Sequence, residues 1–129
     1  MAHPNEELLR KGYDAFGRGE MGTLQSLLAE DIVWHFPGKG PLAGDYKGIG
    51  EVMAWVGRSA ELTGGTLRME VHDILANDEH GVALTRVTAE RGGKRLADNG
   101  VTVFHIRDGK AEEVWIHPGD LYASDEFWS

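Results

Sequence analysis

Three extended runs separated by two glycine turns set the terms for this chain. Residues 81–90, residues 94–106 and Lys110–Pro118 are rich in Val, Thr, Ile and aromatic side chains. The breaks between them are Arg91-Gly92-Gly93-Lys94 and Arg107-Asp108-Gly109-Lys110. Gly-Gly and Asp-Gly between apolar runs are strong hairpin signals, because turns that match strand twist need positive φ. Two successive hairpins commit the last third of the chain to an antiparallel sheet. Residues 66–76, followed by the turn Asn77-Asp78-Glu79-His80, add one more strand upstream.

The first half supplies what covers that sheet. Apolar Leu8, Leu9, Tyr13 and Phe16 recur at helical spacing, which predicts a helix over residues 4–17 with Pro4 and Glu6-Glu7 in its first turn. Met21, Leu24, Leu27 and Leu28 mark a second, short helix beginning near Gly19-Glu20. Residues 31–36 read as a strand stopped by Pro37-Gly38, with Ile32, Trp34 and Phe36 on one face and Val33 and His35 on the other. A Gly/Pro-rich loop is expected over residues 37–48, then a helix over residues 49–62 that buries Val52, Met53, Trp55, Val56 and Leu62. Helices first and antiparallel strands after them indicate an α+β layer fold, in one domain spanning residues 1–129.

Composition narrows the function classes. A net charge of −8 disfavours a phosphate-backbone partner, so no nucleic acid is expected. No apolar run approaches the ~18 residues of a spanning helix, so no membrane partner is expected either. With no cysteine, thiolate catalysis and thiolate metal sites are excluded. The histidines show no His-x-His and no helical pair, so no metal is expected. Neither Gly-rich phosphate motif occurs, and no cofactor is expected. The first residues lack a basic segment followed by an apolar one, which makes the cytoplasm the default compartment.

Pairing arithmetic picks out a candidate site. A two-residue Gly92-Gly93 turn sets Arg91 opposite Lys94, and therefore Arg86 opposite Asn99, Leu84 opposite Val101 and Val82 opposite Val103. The other face has Val87 opposite Asp98 and Thr85 opposite Gly100. At the second turn, a two-residue loop puts Val114 and Ile116 beside Val101. A three-residue loop with Gly109 left-handed puts Trp115 opposite Val101 and His117 opposite Asn99, and is the preferred reading. Arg86, Asn99, Trp115 and His117 then converge among Leu84, Val101 and Val103, the usual make-up of a small-molecule site. His117 is the acid/base candidate, since histidine titrates near pH ~6.5. Asp120 either supports His117 or caps a tail helix, and Arg86 offers a fixed cation to an oxyanion. Trp34, Phe36, Tyr46, Trp55 and Trp115 are the expected walls, and His105 a more distant polar group.

The order of elements resembles the SnoaL-like branch of the nuclear transport factor 2-like superfamily. The stretches that carry the resemblance are 27–38 (LLAEDIVWHFPG), 44–48 (GDYKG), 107–115 (RDGKAEEVW) and 120–128 (DLYASDEFW). The resemblance implies a cone-shaped, strongly curved sheet wrapped around a pocket capped by three N-terminal helices, often in a homodimer. It also implies relatives as varied as ketosteroid isomerases, polyketide cyclases, limonene-type epoxide hydrolases and non-catalytic binders. The isomerases' catalytic Asp would fall on Phe36. The epoxide hydrolases' Arg-x-Asp would fall on Arg86-Val87-Thr88, with Thr88 in place of the Asp, and their last-strand Asp near His117. The cyclases' late Asp and preceding-strand His have Asp120 and His105 as their nearest candidates here.

Together these features lead to an expectation of a cofactor-independent enzyme acting by proton transfer on a small apolar substrate of polyketide, terpenoid or steroid type. The catalytic set would be His117, Asp120 and Arg86. The alternatives are a non-catalytic binder with the same pocket, an epoxide hydrolase-like activity, and a dimeric structural module.

Overall fold

The computed structural model describes residues 2–129. Helix α1 (Pro4–Gly17) starts where the His3 ring nitrogen accepts from the Asn5 amide at 3.0 Å, with Pro4 at its first position. Helix α2 is Met21–Ser26 and α3 is Ile49–Leu62. The strands are β1 (Leu28–Phe36), β2 (Gly44–Lys47), β3 (Arg68–Ala76), β4 (His80–Arg91), β5 (Lys94–Arg107) and β6 (Lys110–Pro118). A last helix, α4 (Leu121–Trp128), is capped by Asp120, whose Oδ1 accepts from the Ala123 amide at 3.0 Å. The α+β architecture and the helix-then-sheet order are as expected.

The six strands form one open, mixed sheet in the order β2-β1-β6-β5-β4-β3. All pairs are antiparallel except β1 with β6. Two elements differ from the expectation. The loop over residues 37–48 contains β2, an edge strand on β1, and Leu28 opens β1 instead of closing α2. Leu28 is apolar in either state, and a single Leu carries no information on which period it belongs to.

The β4–β5 hairpin has the expected register throughout. Arg86 faces Asn99, Leu84 faces Val101 and Thr85 faces Gly100, across a Gly92-Gly93 turn with φ of +54° and +81°. The β5–β6 hairpin does not. Its loop is the two residues Asp108 and Gly109, with φ of +52° and +73°, and the irregularity sits further along, between His105 and Ile106 on the β5 side. There Glu112 is the extra residue of β6, since Ile106 pairs with Ala111 and His105 with Glu113. The net shift is two residues. Trp115 faces Val103, and His117 faces Val101. A shift of two preserves the face, so Trp115 and His117 do share a face with Val101, as the three-residue loop also required.

The larger correction concerns which face is covered. Ala83, Ala89, Leu96, Phe104, Ile106 and Val114 are buried, along with Thr85 and Thr102. The alternate row, Val82, Leu84, Val101, Val103 and Trp115, is only half-buried. The helices lie on the row with smaller and more polar side chains. Close helix–sheet approach is the reason: a Cβ on Gly81 would lie 2.3 Å from Leu9 Cδ1 of α1. Small residues admit the helix, so the more hydrophobic row is not the interior one.

Candidate functional site

Two buried groups meet inside the fold. One gathers Leu9, Ile32, Val52, Ile74, Phe104 and Val114. The other gathers Leu42, Ala89, Leu96, Phe127 and Trp128. Side chains of both line one cavity of about 170 Å³. Its aromatic wall is Trp34 and Phe36 of β1, Trp55 of α3 and Trp128 of α4. The Trp55 ring stands 5.3 Å from both Trp34 and Phe36, a mutually packed cluster.

The inward row of β5 runs Leu96, Asp98, Gly100, Thr102, Phe104 and forms the cavity floor. Gly100 leaves the middle of that floor bare, next to Thr85. Asp98 is the one carboxylate among the lining residues. Its Oδ2 accepts from the Asp120 amide at 3.1 Å, so the chain leaving β6 holds it in place. Tyr13 reaches in from α1 and shares a hydrogen bond with Thr102. Burial pushes the Tyr13 hydroxyl up to about 12, with the hydrogen bond to Thr102 acting the other way, so it stays a protonated donor across the physiological range.

Helix α4 closes one side. Ser124, Phe127 and Trp128 are buried. Asp125 accepts from the amides of Lys39 and Gly40 at 3.0 and 3.2 Å, which ties the helix to the loop after β1.

Most of the expected catalytic set lies elsewhere. Arg86 is exposed on the outer face and donates to Asn99 Oδ1 at 3.3 Å. His117 and Val101 border the cavity, but strand alternation turns their side chains outward with Trp115, and His117 is exposed. Asp120 is the α4 cap, exposed, and meets Asp98 only through its backbone. His105 is on the outer face with His80, ring centroids 5.0 Å apart, and pairs with Glu112. Tyr46 donates to the Leu42 carbonyl at 2.7 Å behind Trp55. Trp34, Phe36 and Trp55 are cavity walls, whereas Arg86, Asn99, His105 and Trp115 are not in the cavity. Asp98 is the residue that sequence reasoning passed over. It is the one acid in the row Leu96, Asp98, Gly100, Thr102, Phe104, a signal open to view once that row is taken as the covered one.

The outer face has its own polar cluster. His35 sits between Asp45 and Glu113, each 2.6 Å from a ring nitrogen, and stacks on Trp115 at 5.7 Å. Hydrogen bonding to Asp45, then to Glu113, raises the His35 pKa. A raised pKa means that the charged cluster contributes its full stability below the unfolded value of about 6.5 and loses it as pH rises through the folded value. His35→Gln is therefore expected to destabilise the protein more at pH 6 than at pH 9. Urea denaturation at the two pH values reads this, and an equal loss at both would contradict it.

Comparison with known proteins agrees with the geometry. The SnoaL-like domain model matches residues 9–114. An uncharacterised protein of Mycobacterium tuberculosis is 31% identical over 124 residues, covering 95% of each chain. The structure of Bal32a, from a soil-derived mobile gene cassette, is 42% identical with a TM-score of 0.95, covering 98% of this chain and 97% of that one. A Xanthomonas campestris protein of unknown function with a cystatin-like fold is 27% identical with a TM-score of 0.91, covering 95% and 96%. With its open mixed sheet, helical cover and interior cavity, the chain belongs to the SnoaL-like domain family.

Proposed function

We propose that this protein is a cofactor-independent enzyme that moves a proton on a small ring compound held in the cavity, with Asp98 as the acid/base. The observation that carries this reading is the single carboxylate in a wall of aromatic and aliphatic side chains. Its ionised form takes a proton from a carbon beside a carbonyl and returns it to a different atom. The Tyr13 hydroxyl, still protonated, donates to the oxygen on which negative charge develops.

Cavity size restricts the substrate. An engineered cavity of roughly 150 Å³ takes up benzene, and drug-sized sites run from roughly 300 Å³ upward. At about 170 Å³ this one suits a compound of one or two rings rather than four. TerC, 22% identical with a TM-score of 0.84, was crystallised with polyporic acid. Two further neighbours are described as candidate polyketide cyclases, a resemblance of fold alone.

The test needs no knowledge of the natural substrate. 2-Tetralone, a bicyclic ketone, exchanges its α-protons in D2O by proton abstraction next to the carbonyl. The protein is expected to accelerate that exchange, followed by proton NMR, over buffer alone. Exchange at the buffer rate would contradict the reading, and binding without exchange would favour the non-catalytic one.

We also assign the outer face to a second copy of the chain. Val82, Val103 and Trp115 lie side by side across three strands, with Leu84 and Val101 next to them. Arg86 and Asn99 stand beyond one end of this patch, Glu113 beyond the other. A two-fold axis through its centre lays the apolar patch of one copy on that of the other. Light scattering after gel filtration should give two chains per particle, and one chain for Trp115→Arg. A monomeric wild type would contradict the assignment.

A further inference from the structure

Gly100 stands in the body of β5, between Thr85 of β4 and Pro118 of β6, and neither backbone nor packing calls for a glycine there. Its φ is not positive, unlike that of Gly92, Gly93 and Gly109 in the turns. A Cβ on Gly81 would lie 2.3 Å from Leu9, and one on Gly119 would lie 2.1 Å from the Asn99 carbonyl. A Cβ on Gly100 would meet only Thr85 Oγ1 and the His117 carbonyl oxygen, both at 3.7 Å, which is ordinary contact, and otherwise open space. Glycine inside a strand weakens it, because it loses more chain entropy than alanine and has no side chain to pack. The open space is the cavity. Thr85 is a buried side chain of the covered face, so the missing Cβ belongs to that face, and Gly100 lines the floor together with Asp98 and Thr102.

We propose that Gly100 determines the size of ligand the cavity accepts: the second ring of a two-ring compound lies flat on its bare backbone, beside Asp98. This rests on the cavity being the ligand site and deepens the reading above by assigning the choice of two rings over one to a single position. Strand alternation sets Asp98 and Thr102 on the same face about 7 Å to either side of Gly100. The gap between them is therefore about one ring wide. A ring on exposed peptide groups makes many small dispersion contacts, which a side chain at position 100 would claim first. In a cavity of about 170 Å³, one added methyl takes the place the second ring needs. A single ring has room beside the aromatic wall and does not depend on that place.

The experiment compares 2-tetralone with cyclohexanone, a one-ring ketone, by proton–nitrogen NMR titration of wild type, Gly100→Ala and Gly100→Val. Gly100→Ala is expected to weaken 2-tetralone binding about tenfold, the usual effect of forcing one methyl into filled space, and to leave cyclohexanone within twofold. Gly100→Val should weaken 2-tetralone further. Urea denaturation should find Gly100→Ala at least as stable as the wild type, which separates lost space from a lost fold. Equal weakening of both ketones, or of neither, would overturn the proposal, and so would an unstable Gly100→Ala protein. Size selection as expected, with no α-proton exchange by the wild type, would instead overturn the catalytic reading and leave this one standing. Exchange by the wild type with unchanged 2-tetralone affinity in Gly100→Ala would do the reverse. Failure of both ketones to bind would overturn both.

Discussion

Asp98→Asn is expected to lower the rate of 2-tetralone α-proton exchange by about 10²–10⁴-fold, the usual contribution of a positioned acid/base. The substitution removes the ability to take a proton at neutral pH and little else. Asn has the same size, and its side-chain oxygen still accepts from the Asp120 amide that now meets Asp98 Oδ2. The link from β5 to the start of α4 therefore survives, and so does the helix cap, which uses the Asp120 side chain. The folded structure and the affinity for 2-tetralone should both be close to those of the wild type. An Asp98→Asn protein that exchanges protons at the native rate would remove Asp98 from the chemistry. One that loses binding along with rate would give it a structural part.

Gly119→Ala should cost about 2–3 kcal/mol of stability. A Cβ at Gly119 would lie 2.1 Å from the Asn99 carbonyl oxygen and 2.9 Å from Asp98 Oδ1. The first of these is backbone of β5, paired with Arg86 of β4, and cannot swing aside as a side-chain tip can. Relief comes only by moving the strap between β6 and α4, which also carries the Asp120 amide away from Asp98. Gly57→Ala is the control. It lies within α3 with nothing within 4 Å of the added carbon, so there the methyl should stabilise by roughly 0.5–1 kcal/mol. Urea denaturation of both variants should thus give changes of opposite sign. A Gly119→Ala protein as stable as the wild type would show that the strap is free to move and does not position Asp98.

How far the sequence could be read depended on the kind of information each feature carries. Turn chemistry is local, so Gly92-Gly93 fixed the whole β4–β5 register and Pro4–Gly17 and Ile49–Leu62 emerged at their full lengths. The second hairpin was harder, because Asp108 and Gly109 both take positive φ and the extra residue is displaced to Glu112, where nothing in the local sequence announces it. The short strand β2 was hidden among glycines and prolines and forms only because the edge of β1 is there to receive it.

The site itself turned on a non-local question. Pairing arithmetic tells which side chains share a face but not which face the helices cover. Hydrophobicity pointed to Val82, Leu84, Val101 and Val103, yet it is the Ala83, Thr85, Leu96 and Thr102 side that lies under the helices. Close approach of α1 at Gly81 decides this, and that contact joins residues more than seventy apart in sequence. Once the covered face is known, the same arithmetic moves Arg86, Asn99 and His117 outside and puts Asp98 within.

The most direct measurement is therefore a side-by-side comparison of 2-tetralone exchange by the wild type, Asp98→Asn and His117→Ala. Both residues border the same cavity, one with its side chain on the floor and the other with its side chain turned out. The placement of the chemistry on the inner row predicts exchange near the native rate for His117→Ala and near the buffer rate for Asp98→Asn. The reverse order, with His117→Ala inactive and Asp98→Asn active, would contradict it.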